Sequence, residues 1–167
     1  MLKTIVLIGM MGSGKTSVGK ELAKKLNLSF IDIDQEIERK YNKTVIEIFL
    51  KKGEPFFRKA EENISCKLIN GKPSVISLGG GGYLNKKIRN KIKLYGISIW
   101  VNTNLENIYH RINKSKNKRP LLDYKNLKKT LKKIYDERKP IYKKADFVIK
   151  SNSDSKKETV KKIIEIL

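Results

Sequence analysis

The sequence predicts an α/β fold of three layers, a parallel sheet of five short strands with helices on both faces. Five β-branched apolar runs, the amphipathic stretches between them and a glycine-rich loop after the first run carry this expectation. The runs lie at residues 4–8, 29–33, 74–78, 97–101 and 146–149, and each reads as a buried strand. Between them, Val18, Leu22 and Leu26 form one face of a first helix, and Val160, Ile163, Ile164 and Leu167 form one face of a last helix. Both stripes are expected to be core. Strands that alternate with helices pair in parallel, because a parallel neighbour requires a crossover connection.

Two intervals interrupt the alternation. The first begins at Asp34 and continues to about Gly71 in several helical pieces, with Pro55 suited to open one of them. The second, residues 113–124, is polar, rich in lysine and closed by Pro120, and it reads as a mobile loop. No repeat or linker divides the chain, so a single domain over residues 1–167 is expected. The apolar start of the chain runs directly into glycines with no small-residue cleavage pattern, which favours a strand over a signal peptide.

With 39% hydrophobic residues among 167, the chain can bury a core. Its single cysteine, Cys66, excludes an internal disulfide and any multi-cysteine metal site, and fits a reducing cytoplasm. No run approaches the length of a membrane span. The net charge of +21 raises nucleic-acid binding as a function class. However, the 32 lysines are scattered, they accompany 22 isoleucines and 13 asparagines, and no aromatic residues interleave with them as in a strand-based RNA reader. A solvated lysine surface and no specific nucleic-acid partner are expected. Against that background the six arginines are informative, since arginine offers a planar, bidentate donor. Arg39 and Arg89 fall in no motif.

Gly9-Met10-Met11-Gly12-Ser13-Gly14-Lys15-Thr16 fits the G-x-x-x-x-G-K-[ST] phosphate loop, between an apolar strand and an amphipathic helix. Glycines let backbone N–H groups curl around phosphate oxygens, and the helix N-terminus adds its positive dipole end. Lys15 is placed to reach the β- and γ-phosphates and Thr16 to hold Mg²⁺. Asp32 and Asp34 follow at the end of the second strand, where alternation puts both on one side of the chain. One can serve a metal and the other a substrate hydroxyl; alone, the pair also reads as a helix cap and a solvated acid.

Arg58 and Glu61 stand three apart on a helix, as an orienting pair or a surface ion pair. Leu78-Gly79-Gly80-Gly81-Gly82 ends a strand in four glycines, which permit close backbone approach to a small ligand. Arg119-Pro120-Leu121-Leu122 closes the mobile loop, and Arg138 lies late in a helix. Convergent arginines point to an anionic acceptor, with a carboxylate the natural bidentate partner.

In this order and spacing, the P-loop, the D-x-D, F-R-x-x-E from Phe57, L-G-G-G from Leu78, R-P-L-L from Arg119 and E-R-x-P-x-Y from Glu137 resemble the shikimate kinases, small P-loop kinases of the pathway to chorismate and the aromatic amino acids. The resemblance covers nearly the whole chain. It implies a P-loop kinase fold like that of nucleoside monophosphate kinases, with a substrate-binding insertion at about 34–62 and a lid at about 113–124. It further implies ATP and Mg²⁺ as cofactors, shikimate as substrate, and a cytoplasmic monomer. By motif, Gly12, Ser13, Gly14, Lys15, Thr16 and Ser17 bind phosphates, Thr16 ligates Mg²⁺, and Asp32 supports it through water. Asp34 holds shikimate hydroxyls and is the candidate base. Arg58 and Arg138 clamp the carboxylate, and Gly79, Gly80 and Gly81 line the substrate with Gly80 offering its N–H. Phe49, Phe57 and Glu61 shape the pocket, Arg119 reaches the ATP phosphates, and Arg111 corresponds to an arginine beside the adenine. Two readings stand beside this one: a gluconate-type P-loop kinase, and a nucleic-acid-associated P-loop protein.

Overall fold

Period-two alternation in the first strand builds two cores at once. In β1 (Thr4–Ile8), Ile5 and Leu7 belong to one apolar cluster and Val6 and Ile8 to the other. The computed structural model describes residues 3–152 and 155–167. Met1, Leu2, Ser153 and Asp154, part of the domain span 1–167 expected from the sequence, lie outside the described residues.

The sheet adds β2 (Ser29–Asp32), β3 (Ser74–Ser77), β4 (Gly96–Asn102) and β5 (Phe147–Lys150) in the order β2-β3-β1-β4-β5. Every pairing is parallel, with Ile5 opposite both Val75 and Ile97. On one face, α1 (Lys15–Leu26) and α7 (Lys156–Ile164) set Val18, Leu22, Val160 and Ile163 against Ile5, Leu7, Val75 and Ile99. The other core draws on α2 (Ile33–Tyr41), α3 (Val45–Leu68), α4 (Lys86–Tyr95), α5 (Leu105–Lys114) and α6 (Leu127–Tyr142). There Ile37, Ile64, Ile88, Ile108 and Leu131 join Val6, Ile8, Ile76 and Trp100. The chain passes from β1 to β2 and β3 on one side, then crosses to β4 and β5 on the other. Such a reversal opens a crevice at the carboxyl ends of the central strands.

Several local expectations are corrected. β2 and β5 are edge strands rather than buried ones, and Ser29, Phe147 and Val148 are exposed, because an edge has a neighbour on one side only. Ile164 and Leu167 are also exposed: α7 ends at Ile164, and its core stripe is Thr159, Val160 and Ile163. Ile33 and Leu78 lie just beyond their strands, the former opening α2.

The first irregular interval is the pair α2 and α3. Thr44 caps α3 by a reciprocal arrangement with Glu47, whose N–H donates to Thr44 Oγ1 at 3.2 Å while Glu47 Oε2 accepts from the Thr44 N–H at 2.7 Å. Gly53, at φ +81°, breaks α3, and Pro55 stands in the first turn of the second piece, as the sequence suggested. The second interval starts slightly late, because α5 reaches Lys114 and leaves residues 115–123 as the loop. This loop is less polar than expected at its far end, where Leu122 is buried in the core and the Tyr124 hydroxyl accepts the Arg119 N–H at 2.8 Å. No helix among the described residues is long and apolar enough to cross a membrane.

Candidate active site

Two adjoining cavities occupy the crevice. The larger, about 830 Å³, is lined by Gly12, Gly14, Lys15, Thr16 and Ser17 of the loop after β1, by Asp32 and Asp34, and by Arg111 and Arg119. Its loop folds as the glycines allow: Gly12 and Gly14 take φ of +73° and +93°, which an L side chain rarely adopts. Ser13 is buried behind the loop, with its carbonyl accepting from the Thr103 hydroxyl at 3.0 Å, so the residue just past β4 holds the loop down. Lys15 Nζ donates to the carbonyls of Gly9 at 2.9 Å and Met10 at 2.7 Å. Burial lowers its pKa from 10.5 to about 8, opposed by the charge of Asp34, so it remains predominantly cationic at neutral pH. Arg111 Nη1 donates to the Gly12 carbonyl at 3.3 Å and so lies over the loop.

Thr16 and Asp32 meet at the floor of this cavity, the threonine hydroxyl donating to Asp32 Oδ2 at 2.8 Å. The other oxygen, Oδ1, accepts from the N–H groups of Asp34 and Gln35 at 3.1 and 3.3 Å. Asp32 is therefore both helix cap and partner of the P-loop threonine. Asp34 does not share a strand face with it, since β2 ends at Asp32 and Asp34 sits in the first turn of α2. The helical turn brings Asp34 into the crevice instead.

The smaller cavity is about 70 Å³ and shares Met11, Asp34, Val45, Gly79, Gly80, Arg119 and Pro120 with the larger. Its remaining walls are Phe49, Phe57, Arg58, Glu61, Gly81, Leu121 and Arg138. The two phenylalanines pack at a tilt of 44° with centroids 4.8 Å apart across the break at Gly53, forming an apolar wall. Arg58 Nη1 donates to Glu61 Oε2 at 2.7 Å, and its Nε donates to Glu54 at 3.2 Å. Since the Glu61 side chain is only 2% exposed, the pair is an orienting contact rather than a surface ion pair. Burial raises the Glu61 pKa, with Arg58 and Arg138 opposing. Asp34 is pushed from 3.8 to about 6, by burial first and then by the charges of Glu61 and Asp32.

The glycine run has a reason the sequence did not reveal. A Cβ on Gly79 would overlap Glu61 Oε1 and stand 2.9 Å from Asp34 Oδ1, while one on Gly81 would stand 2.5 Å from Arg58 Nη1. On Gly82 it would lie 2.9 Å from Glu61 Oε1, and on Gly80 it would lie 3.0 Å from Arg138 Nη1. The bare backbone thus admits the protein's own charged groups to the pocket wall. Asp34 Oδ1, Glu61 Oε1 and Arg138 Nη1 are buried there with no hydrogen-bond partner among the described residues.

Every site residue expected from the sequence lines one of these cavities except Ser13, which supports the loop from behind. Met11, Val45 and Leu121 were not anticipated as lining residues. Met11 occupies a variable position of the P-loop pattern, and only the i,i+4 spacing of Val45 with Phe49 hinted at a shared face.

A P-loop cradle opening into a small, cation-lined pocket is the architecture of a small-molecule kinase of the P-loop class. A family model described as shikimate kinase matches residues 11–167. The shikimate kinase of Cereibacter sphaeroides is 41% identical over 165 residues, covering 99% of this chain and 82% of the relative. A solved shikimate kinase from Acinetobacter baumannii in complex with shikimate superposes with a TM-score of 0.95 at 36% identity, covering 99% of this chain and 93% of that one. The chain belongs to the shikimate kinase family. A gluconokinase from Sinorhizobium meliloti, at 16% identity and TM-score 0.63, shares the fold alone.

Proposed function

We propose that this protein transfers the γ-phosphoryl group of ATP to the 3-hydroxyl of shikimate, giving shikimate 3-phosphate and ADP on the route to chorismate. The observation that carries the reading is Arg138 Nη1, buried and without a hydrogen-bond partner among the described residues, in the same small pocket as Arg58, a paired-guanidinium receptor for a carboxylate. Asp34 Oδ1, buried and unpartnered on the wall common to both cavities, receives a hydroxyl of the acceptor at the boundary with the nucleotide. The shikimate complex of the Acinetobacter relative supports this choice of acceptor.

The loop after β1 holds the nucleotide phosphates through backbone N–H groups, and Lys15 exchanges its loop carbonyls for phosphate oxygens. The hydroxyl of Thr16 and the carboxylate of Asp32 form an all-oxygen set suited to Mg²⁺, which takes few protein ligands and retains phosphate and water. When bound there, Mg²⁺ neutralises charge on the transferring phosphates. Arg119 lines both cavities and stands where charge spreads during transfer. Movement of the loop at residues 115–123 delivers Arg119 and excludes water, which otherwise competes as acceptor. Asp34 accepts the hydroxyl proton, although a loose transition state asks mainly for orientation. The adenine lies towards Arg111.

A monomeric enzyme is what the family resemblance implies, and a cytoplasmic location fits the single free cysteine. An acceptor screen tests the reading: ADP release is followed with MgATP and shikimate, gluconate or no acceptor, and the product is identified by phosphorus NMR. Turnover with shikimate alone is expected. Equal turnover with gluconate or with water would refute the acceptor assignment.

A further inference from the structure

Tyr142 ends α6 one turn beyond Arg138, so the two side chains share a helix face. Tyr142 has no exposed surface, and its ring is held against the Trp100 indole at a centroid separation of 5.6 Å. This packing fixes the direction of the phenol, whose hydroxyl donates to the carbonyl of Gly80. The Arg138 guanidinium stands beside this contact, its Nη1 3.0 Å from where a Cβ on Gly80 would lie. That nitrogen has no hydrogen-bond partner among the described residues.

A run of four glycines has no side chains to fix its own peptide planes. One internal turn bond, from the Gly82 N–H to the Gly79 carbonyl at 2.9 Å, closes the run but leaves the Gly80–Gly81 peptide unspecified. Because a trans peptide is rigid, anchoring its carbonyl also sets the opposed N–H.

We infer that Tyr142 is a positioning residue for the acceptor: its hydroxyl fixes the Gly80–Gly81 peptide beside the Arg138 guanidinium, so that the Gly81 N–H and the cation meet the acceptor in one fixed geometry. The inference rests on the acceptor reading above and deepens it. Tyr142 lines neither cavity and acts through the Gly80 carbonyl, so its contribution falls on acceptor binding.

Tyr142→Phe removes the hydroxyl and keeps the ring. Tyr83→Phe is the matched control, since the Tyr83 hydroxyl is also held inside the fold, its one proton shared between the Lys144 carbonyl at 3.2 Å and Ser98 Oγ at 3.3 Å, and Tyr83 lines neither cavity. Tyr142→Phe is expected to raise the shikimate KM about tenfold, with kcat and the ATP KM changed less than about twofold. Tyr83→Phe is expected to lower the melting temperature and leave both KM values unchanged. Gly80→Ala reaches the same contact from the other side, its methyl standing 3.0 Å from Arg138 Nη1 and 3.3 Å from the Met11 N of the phosphate loop, and should raise the shikimate KM more than the ATP KM even if Tyr142→Phe fails to fold. An unchanged shikimate KM in the folded variants, or an equal rise for both substrates, overturns the inference. A wild-type enzyme without shikimate-dependent turnover overturns the acceptor reading itself, and the inference with it.

Discussion

Asp34→Asn is expected to stabilise the protein while abolishing its activity. In the fold, the Asp34 carboxyl titrates at about 6 instead of 3.8, because burial and the neighbouring Glu61 and Asp32 charges disfavour its ionised form. The folded chain therefore binds this proton more tightly than the unfolded chain, and ionisation costs stability. That cost is absent below pH 3.8, grows between 3.8 and about 6, and is complete above. At about 1.4 kcal/mol for each pH unit, the interval corresponds to about 3 kcal/mol. Screening by water in the open cavity and the burial of the new amide reduce the expected gain to about 1–2 kcal/mol. A chain of this length gains about 2–4 °C in melting temperature per kcal/mol, so the variant should melt roughly 2–8 °C higher near neutral pH. Thermal melts of both proteins from about pH 4 to about pH 8 test this, with the difference shrinking as pH falls. A variant that melts lower than wild type at neutral pH, or a difference independent of pH, would refute the reasoning.

Gly79→Ala should raise the shikimate KM sharply and cost about 1–3 kcal/mol in a denaturation experiment, because its methyl meets Glu61 and Asp34 at a buried wall. Asp32→Ala removes a helix cap and the partner of Thr16; a loss of about 1 kcal/mol in stability and a higher Mg²⁺ requirement in steady-state assays are expected. The +21 net charge should steer anionic ATP and shikimate to the crevice, so kcat/KM for both falls as ionic strength rises from about 0.01 to about 0.15 M, where the screening length drops from about 30 to about 8 Å. Stopped-flow binding rates that ignore salt would contradict that expectation.

The P-loop was legible because its glycines, lysine and threonine are required by backbone geometry at fixed spacing, whatever surrounds them. β1 was legible for a similar reason: its five residues are buried in a central strand, so all but Thr4 are apolar. The edges were harder to read, since Phe147 and Val148 carry strand-forming side chains yet lie exposed, and a sequence does not state which strand lacks a neighbour. For Asp32 and Asp34, the convergence was foreseen and its cause was not: strand alternation gave the right partners, while the helical turn at Ile33 provides the geometry. The glycine run suggested ligand access, but its close approach to Asp34, Arg58, Glu61 and Arg138 depends on three separate elements and appears only in three dimensions. Leu122 shows the same limit, because a polar stretch gave no sign that its end is anchored in the core.

The most direct test of the central claim is coupled ADP release with MgATP, with and without shikimate, in the wild-type protein and Arg138→Ala. The account predicts turnover that depends on shikimate and a fall of about a hundredfold in kcat/KM for shikimate in the variant, with the ATP KM retained. ADP release that is the same without shikimate, or a variant that keeps the wild-type kcat/KM, would contradict it.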